Sequence, residues 1–121
     1  MTPAYLFVYG TLRRGSANRH ARLLESAARF LGSARTAGRL YSFGRHPGAV
    51  RSEAPGEKVR GEVFLLKNPA QTLCALDRYE GAKYERVAAP VNLPSGKQIT
   101  AWVYFLRREP SAGRIATGEW I

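Results

Sequence analysis

Apolar side chains occupy every position from Ala4 to Tyr9, near the start of the chain. Because successive residues of a β-strand point to opposite faces, a strand here would be apolar on both faces. Such a strand is predicted to be central in its sheet and covered on both sides. It ends at Gly10, and the residues up to Ala17 have the composition of a loop.

Asn18 is a suitable N-cap for a short helix that reaches about Ser26. Leu23 and Leu24 are the expected apolar contacts of this helix. Between residues 29 and 50, short apolar pieces are separated by glycines and a proline. This punctuation predicts short strands and tight turns rather than helices.

Three further strands are indicated after a polar loop over residues 51–58. Apolar and polar residues alternate in the first half of segment 59–66, as expected for a half-buried strand. Segments 84–93 and 97–106 are joined by a Pro-Ser-Gly turn and are predicted to pair as a hairpin. Pro90 cannot donate to a sheet ladder, so the first strand of this hairpin should lie at an edge or contain a bulge.

A second helix is predicted to begin after Asn68, with Pro69 at its first position, where the missing N–H group costs nothing. Gly81 is a suitable residue to end this helix. The order of elements is strand, helix, several short strands, helix and hairpin. This order predicts an α+β fold, and a small mixed β-barrel flanked by short helices satisfies it.

The chain has 121 residues, of which 45% are hydrophobic. A chain of this size suits one domain, so residues 1–121 are expected to form a single domain. No apolar stretch approaches the roughly 20 residues that cross a bilayer. We therefore expect a cytoplasmic protein with no membrane partner. The one cysteine, Cys74, has no internal disulfide partner, and its place in a helical apolar pattern predicts a buried packing residue.

The formal net charge is +10, from 19 basic and nine acidic residues. A charge of this size is compatible with an anionic partner such as nucleic acid. However, the basic residues are scattered from Arg13 to Arg114, and no run is longer than the pairs Arg13/Arg14 and Arg107/Arg108. Polyanion sites usually show clustering, so we favour a diffuse basic surface and do not expect a nucleic-acid partner.

Glu80 differs from the other acidic residues in its position on the second helix. Leu73, Leu76 and Glu80 are spaced i, i+3 and i+7, so they share the face predicted to be buried. Burial at the negative end of the helix dipole should raise the pKa of this carboxyl group, as suits a general acid or base near neutral pH. The periodicity alone slightly favours the alternative, an ordinary surface ion pair with Lys83 or Arg86.

A second candidate site is the loop in which the first strand breaks, here called the 9–12 loop: Tyr9, Gly10, Thr11 and Leu12. Exposed backbone N–H groups in such a turn form a concavity suited to a carboxylate or an oxyanion, and the Thr11 hydroxyl adds a donor. Considered alone, this motif is better explained by the dihedral angles that a turn demands of glycine.

Other chemistries find no support in the residues available. Asp77 lies at the edge of the apolar stripe and is expected to face water. The two histidines, His20 and His46, and the single cysteine cannot supply metal ligands at a suitable spacing. The chain lacks the ending of a phosphate-binding P-loop and the serine elbow of hydrolases. The chemistry that these residues favour is therefore acid–base catalysis without a metal or a cofactor.

The two candidate sites together resemble those of a known family. Residues 7–15, FVYGTLRRG, and residues 76–81, LDRYEG, followed by Tyr84 and Arg86, resemble the γ-glutamylcyclotransferase-like family. The most similar branch is that of the γ-glutamylamine cyclotransferases and their bacterial and plant relatives, the avirulence-induced-protein-like group. Neither motif is specific alone, but their order and separation in a chain of this size indicate the family.

The resemblance implies a small β-barrel with flanking helices and a cavity at one end. It also implies an enzyme, a cyclotransferase with a lyase-type outcome. In its reaction the α-amino group of a γ-glutamyl amine or peptide attacks its own γ-carbonyl, so that 5-oxoproline forms and an amine leaves. By position, Glu80 would take a proton from the α-ammonium and return one to the leaving nitrogen. The backbone of the 9–12 loop would hold the substrate carboxylate.

The same resemblance gives Tyr84 a possible supporting role, either to orient Glu80 or to pack the pocket. It implies a small-molecule γ-glutamyl substrate and no cofactor or metal. The competing hypothesis is a non-catalytic module on the same fold, which binds a small carboxylate or another protein.

Overall fold

The computed structural model describes residues 4–15 and 18–120. Both predicted helices and all the predicted strands form, although several bounds differ from the expected ones. The elements in chain order are β1 (Tyr5–Val8), α1 (Arg19–Ala27), β2 (Ala28–Ala37), β3 (Arg39–Ser42), β4 (Pro47–Val50), β5 (Lys58–Leu66), α2 (Pro69–Glu80), β6 (Tyr84–Asn92), β7 (Gln98–Leu106) and β8 (Arg114–Ile115).

Five strands close into a barrel in the order β1, β5, β2, β6 and β7. The first four contacts are antiparallel, and a parallel contact between Leu6 of β1 and Trp102 of β7 closes the ring. Beyond β7 the sheet continues with β4 in parallel, then with β3 and β8. The prediction of an α+β fold built on a small mixed barrel with flanking helices is confirmed.

Strand β1 lies in the centre of the barrel wall, as its two apolar faces predict, because it pairs with β5 on one side and β7 on the other. Its alternate side chains enter two separate apolar clusters. The cluster between the barrel and the helices includes Leu6, Leu24, Phe64, Leu73 and Leu76. The cluster formed by strand and loop residues includes Phe7, Val59, Val63, Val91 and Val103.

Helix α1 begins as predicted, because the Asn18 side chain accepts hydrogen bonds from the backbone N–H groups of His20 and Ala21. The expectation for its leucines was half wrong. Leu24 is fully buried, whereas Leu23 is 46% exposed. Adjacent residues of a helix are about 100° apart, so a nine-residue helix packed through one face buries only one of two neighbouring leucines.

The segment after α1 also differs from the expected series of short strands. Residues 28–37 form a single ten-residue strand that pairs with β5 along its length, with a shift in register between Phe30 and Gly32. Gly32 has a φ of 131°, so it absorbs this β-bulge without breaking the strand. The glycine therefore marks an irregularity within a strand and not its end.

The prediction for Pro90 was wrong for the strand as a whole, because β6 pairs on both sides and shows no shift in register, but Pro90 lies in a part of β6 that has a partner on one side only. Strand β6 pairs with β7 over all nine residues but with β2 only through Val91 and Asn92. On the β2 side, Pro90 precedes the first paired residue, so its missing N–H group interrupts no ladder. Its carbonyl oxygen accepts a hydrogen bond from the Thr36 hydroxyl at 2.8 Å.

Helix α2 spans the predicted residues and ends at Gly81, which has a φ of 79° and donates its N–H group to the Asp77 carbonyl oxygen. Cys74 is exposed, so the expectation of a buried packing cysteine was wrong. The helix packs through Thr72, Leu73 and Leu76, which leaves residue 74 on another face. Within the described part of the chain, neither helix is long and apolar enough to cross a membrane.

Candidate active site

A cavity of about 210 Å³ opens where β1 ends, between the 9–12 loop and the last turn of α2. Glu80, Tyr84 and all four residues of the 9–12 loop line this cavity, so every candidate residue from the sequence lies around one space. The other lining residues are Phe7, Val8, His46, Pro47, Tyr79 and Tyr104.

Residue 10 is a glycine because Pro47 approaches its backbone closely, and not because of its dihedral angles. Its φ is not in the left-handed region, which is occupied by several other glycines of the chain. A Cβ atom at Gly10 would lie 2.5 Å from Cγ of Pro47, far inside van der Waals contact. The absence of a side chain therefore lets the start of β4 pack directly against the 9–12 loop.

In the described part of the chain, two residues of the 9–12 loop that line the cavity have unpaired backbone donors. The Gly10 carbonyl accepts from the N–H group of Arg13, and the N–H group of Arg14 donates to Glu62 at 2.6 Å, so the far part of the loop is held in place. Within residues 4–15 and 18–120, the N–H groups of Thr11 and Leu12 donate to no acceptor. Unpaired donors in a cavity wall are suited to bind an anionic group.

Glu80 is half-buried in the cavity wall, and burial raises the pKa of its carboxyl group from the usual 4.5 to about 7. Within the described residues it forms no ion pair, so the surface-pair alternative is wrong. Lys83 instead lies over the Phe43 ring, with 3.6 Å from Nζ to the ring centroid. The Arg86 guanidinium pairs with Asp77 through two contacts of 2.9 and 3.1 Å.

The environment of Glu80 explains why its charged form is disfavoured. Three tyrosines around the cavity donate their hydroxyl protons to acceptors other than Glu80. Tyr9 donates to the Tyr104 carbonyl at 2.6 Å, Tyr84 donates to the Pro47 carbonyl at 2.8 Å, and Tyr104 donates to Asp77 at 2.6 Å. No tyrosine hydroxyl of the described residues donates to Glu80, so burial is not offset by hydrogen bonds to the carboxylate.

The pKa of Asp77 is shifted in the opposite direction to that of Glu80. Its side chain is 42% exposed and accepts from Arg86 and Tyr104. Partial burial acts to raise its pKa, but the hydrogen bonds from Arg86 and Tyr104 and the charge of Arg86 outweigh it, and the pKa is lowered. Asp77 faces water, as expected, and its structural role is to hold β6 and β7 against α2.

Tyr9 contributes to the cavity through its backbone and ring, because its hydroxyl is fully engaged elsewhere. That hydroxyl also accepts from the backbone N–H group of Ala49 at 3.0 Å. Burial is the main reason that the pKa of Tyr9 lies well above its ordinary value. The side chain therefore fastens β1 to β4 and β7 beneath the 9–12 loop.

Tyr84 is buried, and its hydroxyl is engaged with Pro47, the residue that packs against Gly10. Burial, followed by the charge of Glu80, raises the pKa of Tyr84. The hydrogen bond to Pro47 favours a supporting role in which Tyr84 holds the residue that packs against the 9–12 loop.

Tyr79 lines the cavity, but its part in the site was not predicted from the sequence. Its hydroxyl lies 2.9 Å from Thr11 Oγ1 and accepts from Asn18 Nδ2 at 2.7 Å. The His20 ring stacks on the Tyr79 ring with 4.1 Å between centroids. Tyr79 precedes Glu80 in the second motif, so its position was visible in the sequence, whereas its partners come from distant segments.

Among the described residues, no group of three or more histidine, cysteine, aspartate or glutamate side chains could hold a metal ion. The two histidines serve as ring partners: His20 stacks on Tyr79, and the His46 ring lies 5.6 Å from that of Phe43.

Solved structures share this fold. The crystal structure of an AIG2-like protein from Mus musculus matches with a TM-score of 0.79 at 26% identity, over 98% of this chain and 88% of that one. The structure of YkqA from Bacillus subtilis matches with a TM-score of 0.76 at 28% identity. The match covers 98% of this chain but only 40% of the YkqA chain.

Sequence comparison gives the same result. The gamma-glutamylcyclotransferase family protein YtfP of Escherichia coli K12 is 36% identical over 121 residues, which cover 96% of this chain and 95% of YtfP. The chain belongs to the family described as gamma-glutamyl cyclotransferase, AIG2-like, whose sequence model matches residues 6–121. Family membership and the names of the relatives support a cyclotransferase-like enzyme, and a small-molecule substrate fits such an enzyme.

Proposed function

We propose that the protein cyclises the γ-glutamyl group of a γ-glutamyl amine or peptide to 5-oxoproline and releases the amine. The α-amino nitrogen forms a bond to the γ-carbonyl carbon, and the bond from that carbon to the leaving nitrogen breaks. The reaction is intramolecular, so the protein has to fold the substrate, remove a proton and stabilise the oxyanion.

The observation that carries this proposal is the half-buried carboxyl group of Glu80, with a pKa of about 7, in a cavity that also contains unpaired backbone donors. An α-ammonium group is largely protonated at neutral pH and is then no nucleophile. A carboxylate whose pKa lies near the working pH can accept that proton and later donate one to the leaving nitrogen.

The 9–12 loop would bind the α-carboxylate of the substrate through the N–H groups of Thr11 and Leu12. Gly10 lets this loop pack against Pro47, and the Pro47 carbonyl oxygen accepts a hydrogen bond from the Tyr84 hydroxyl. The carboxylate and the α-ammonium of one substrate would thus contact the two walls of the cavity, the first at the loop and the second at Glu80.

The test is 5-oxoproline formation from glutathione, γ-glutamyl dipeptides and γ-glutamyl-ε-lysine. We expect turnover of at least one of them, and a loss of at least about 100-fold in kcat/KM for Glu80→Gln. The matched control is Glu85→Gln, which makes the same change at an exposed position of β6 and should leave kcat/KM unchanged.

Absence of 5-oxoproline from wild type across the whole panel would overturn the enzymatic proposal. If the same protein bound a small carboxylate at this cavity, the non-catalytic module would be the better description. Full activity in Glu80→Gln would keep the reaction but remove Glu80 from it.

A further inference from the structure

A chain of hydrogen bonds joins the N-terminus of α1 to the candidate active site. Asn18 Oδ1 accepts from the backbone N–H groups of His20 at 2.8 Å and Ala21 at 3.2 Å. Asn18 Nδ2 donates to the Tyr79 hydroxyl at 2.7 Å, and that hydroxyl lies 2.9 Å from Thr11 Oγ1.

The helix cap sets the direction of this chain. Backbone N–H groups can only donate, so the Asn18 atom that faces them is the oxygen, and the amide nitrogen faces Tyr79. The amide nitrogen can only donate in turn, so the Tyr79 hydroxyl accepts from it. The Tyr79 proton then requires another acceptor, and within the described residues Thr11 Oγ1 is the one in range.

Thr11 Oγ1 therefore accepts from Tyr79, and the proton of Thr11 itself remains available. The Thr11 hydroxyl forms no other hydrogen bond within residues 4–15 and 18–120, and Thr11 lines the cavity. A carboxylate can only accept hydrogen bonds. A hydroxyl whose lone pair is already engaged is thus prepared to donate to one.

We propose that Asn18 and Tyr79 are positioning residues that fix the Thr11 hydroxyl as a hydrogen-bond donor to the carboxylate of the bound substrate. This inference rests on the proposed function of the cavity. Its structural support is that Tyr79 is held on two sides, by the stacked His20 ring and by Asn18, and that Tyr79 adjoins Glu80 in the last turn of α2. The same turn therefore carries the proton-transfer group and the group that orients the carboxylate donor.

The decisive substitution is Asn18→Asp, which preserves the helix cap and reverses the chain. Aspartate caps helices as well as asparagine does, so α1 should remain intact. Both carboxylate oxygens accept, so Tyr79 would donate to the new side chain and Thr11 would have to donate to Tyr79. We expect kcat/KM to fall about 10- to 100-fold, largely through KM, as in Thr11→Val.

A second substitution separates hydrogen-bond direction from the added negative charge. Tyr79→Phe in the Asn18→Asp background removes the hydroxyl that would consume the Thr11 proton. Tyr79→Phe alone leaves the Thr11 proton available to the substrate, so it should lose clearly less kcat/KM than Asn18→Asp. The double variant should recover kcat/KM to within about threefold of Tyr79→Phe. If charge repulsion or a damaged fold caused the loss, the second substitution would leave it in place, because the aspartate is still there. Thermal unfolding of each variant checks the fold.

The outcomes also separate this inference from the function beneath it. If wild type produces 5-oxoproline and Glu80→Gln does not, the proposed function stands. In that case, wild-type kcat/KM in Asn18→Asp, or a double variant no better than Asn18→Asp, would overturn the positioning role alone. If wild type is inactive across the panel, the proposed function fails and this inference fails with it.

Discussion

Asp77 and Glu80 lie within one turn of the same helix, yet their surroundings give them opposite properties. Asp77 accepts from Arg86 and Tyr104 and has a lowered pKa. Glu80 is half-buried without a partner among the described residues, and its pKa rises to about 7. The difference shows that the donors around a carboxyl group, more than its place on a helix, decide whether it stabilises the fold or is available for chemistry.

The largest expected effect that distinguishes these carboxylates is on the pH dependence of activity. If ionised Glu80 is the base, kcat/KM should fall tenfold per pH unit below about 7, so that the value at pH 5 is about 100-fold below the plateau. Initial rates of 5-oxoproline formation between pH 5 and 8 would measure this profile. A flat profile over this range would remove Glu80 from the proton transfer.

The next effect is on stability, and here Glu80 and Asp77 should differ in sign. Because the pKa of Glu80 is raised in the folded state, its contribution to stability is full below about 4.5 and is lost as the pH rises through about 7. Glu80→Gln should therefore increase the free energy of unfolding by about 3 kcal/mol at pH 8 and change it little at pH 4.

Urea unfolding of wild type and Glu80→Gln at the two pH values measures this difference. The variant would then be more stable and inactive at once, as expected for a group whose burial serves function at the expense of stability. Equal unfolding free energies at pH 8 would show that the Glu80 carboxyl group is solvated in the folded protein.

The smallest effect is expected for Asp77→Asn, which retains an acceptor for the Tyr104 hydroxyl but loses the charge that pairs with Arg86. This ion pair is partly exposed, so we expect a loss of about 0.5 to 1 kcal/mol at pH 7 and kcat/KM within about threefold of wild type. The lowered pKa of Asp77 means that its stabilisation is present above the unfolded pKa and disappears as the pH falls through the folded value.

The same urea experiment at pH 7 and at pH 3 would measure that loss and its decline in acid. A kinetic defect as large as that of Glu80→Gln would contradict the division of roles between the two carboxylates. It would indicate that Asp77 controls the cavity through Tyr104.

The strands and helices were largely predictable because their signals are local. The apolar faces of β1, the Asn18 cap and the Pro69 start of α2 each depend on residues within a few positions. Burial within a helix was less predictable. Leu23 and Cys74 were expected to be buried but are exposed. The prediction failed because the sequence pattern does not show which part of an apolar stripe packs against the barrel.

The candidate site was predictable as a set of residues but not as a mechanism. Periodicity placed Glu80 on a buried face, and the two motifs together indicated the 9–12 loop as its partner. Residue 10 is a glycine because Pro47 packs closely against it, and not because of the dihedral angles of a turn. This contact could not be predicted locally, since the two residues are 37 positions apart in the chain. Tyr79 was inside a motif, but its partners Thr11 and Asn18 lie 68 and 61 residues away in the chain.

Two motifs and their separation along the chain were enough to predict the family. The order of the elements and the glutamate that continues an apolar stripe followed from local patterns. Contacts between distant segments place Lys83 and Arg86 with other partners and give the tyrosines around Glu80 other acceptors. These contacts set the pKa of Glu80, because the pKa of a buried carboxyl group depends on which donors reach it. The closing of the barrel, and not the neighbourhood in sequence, brings those donors together.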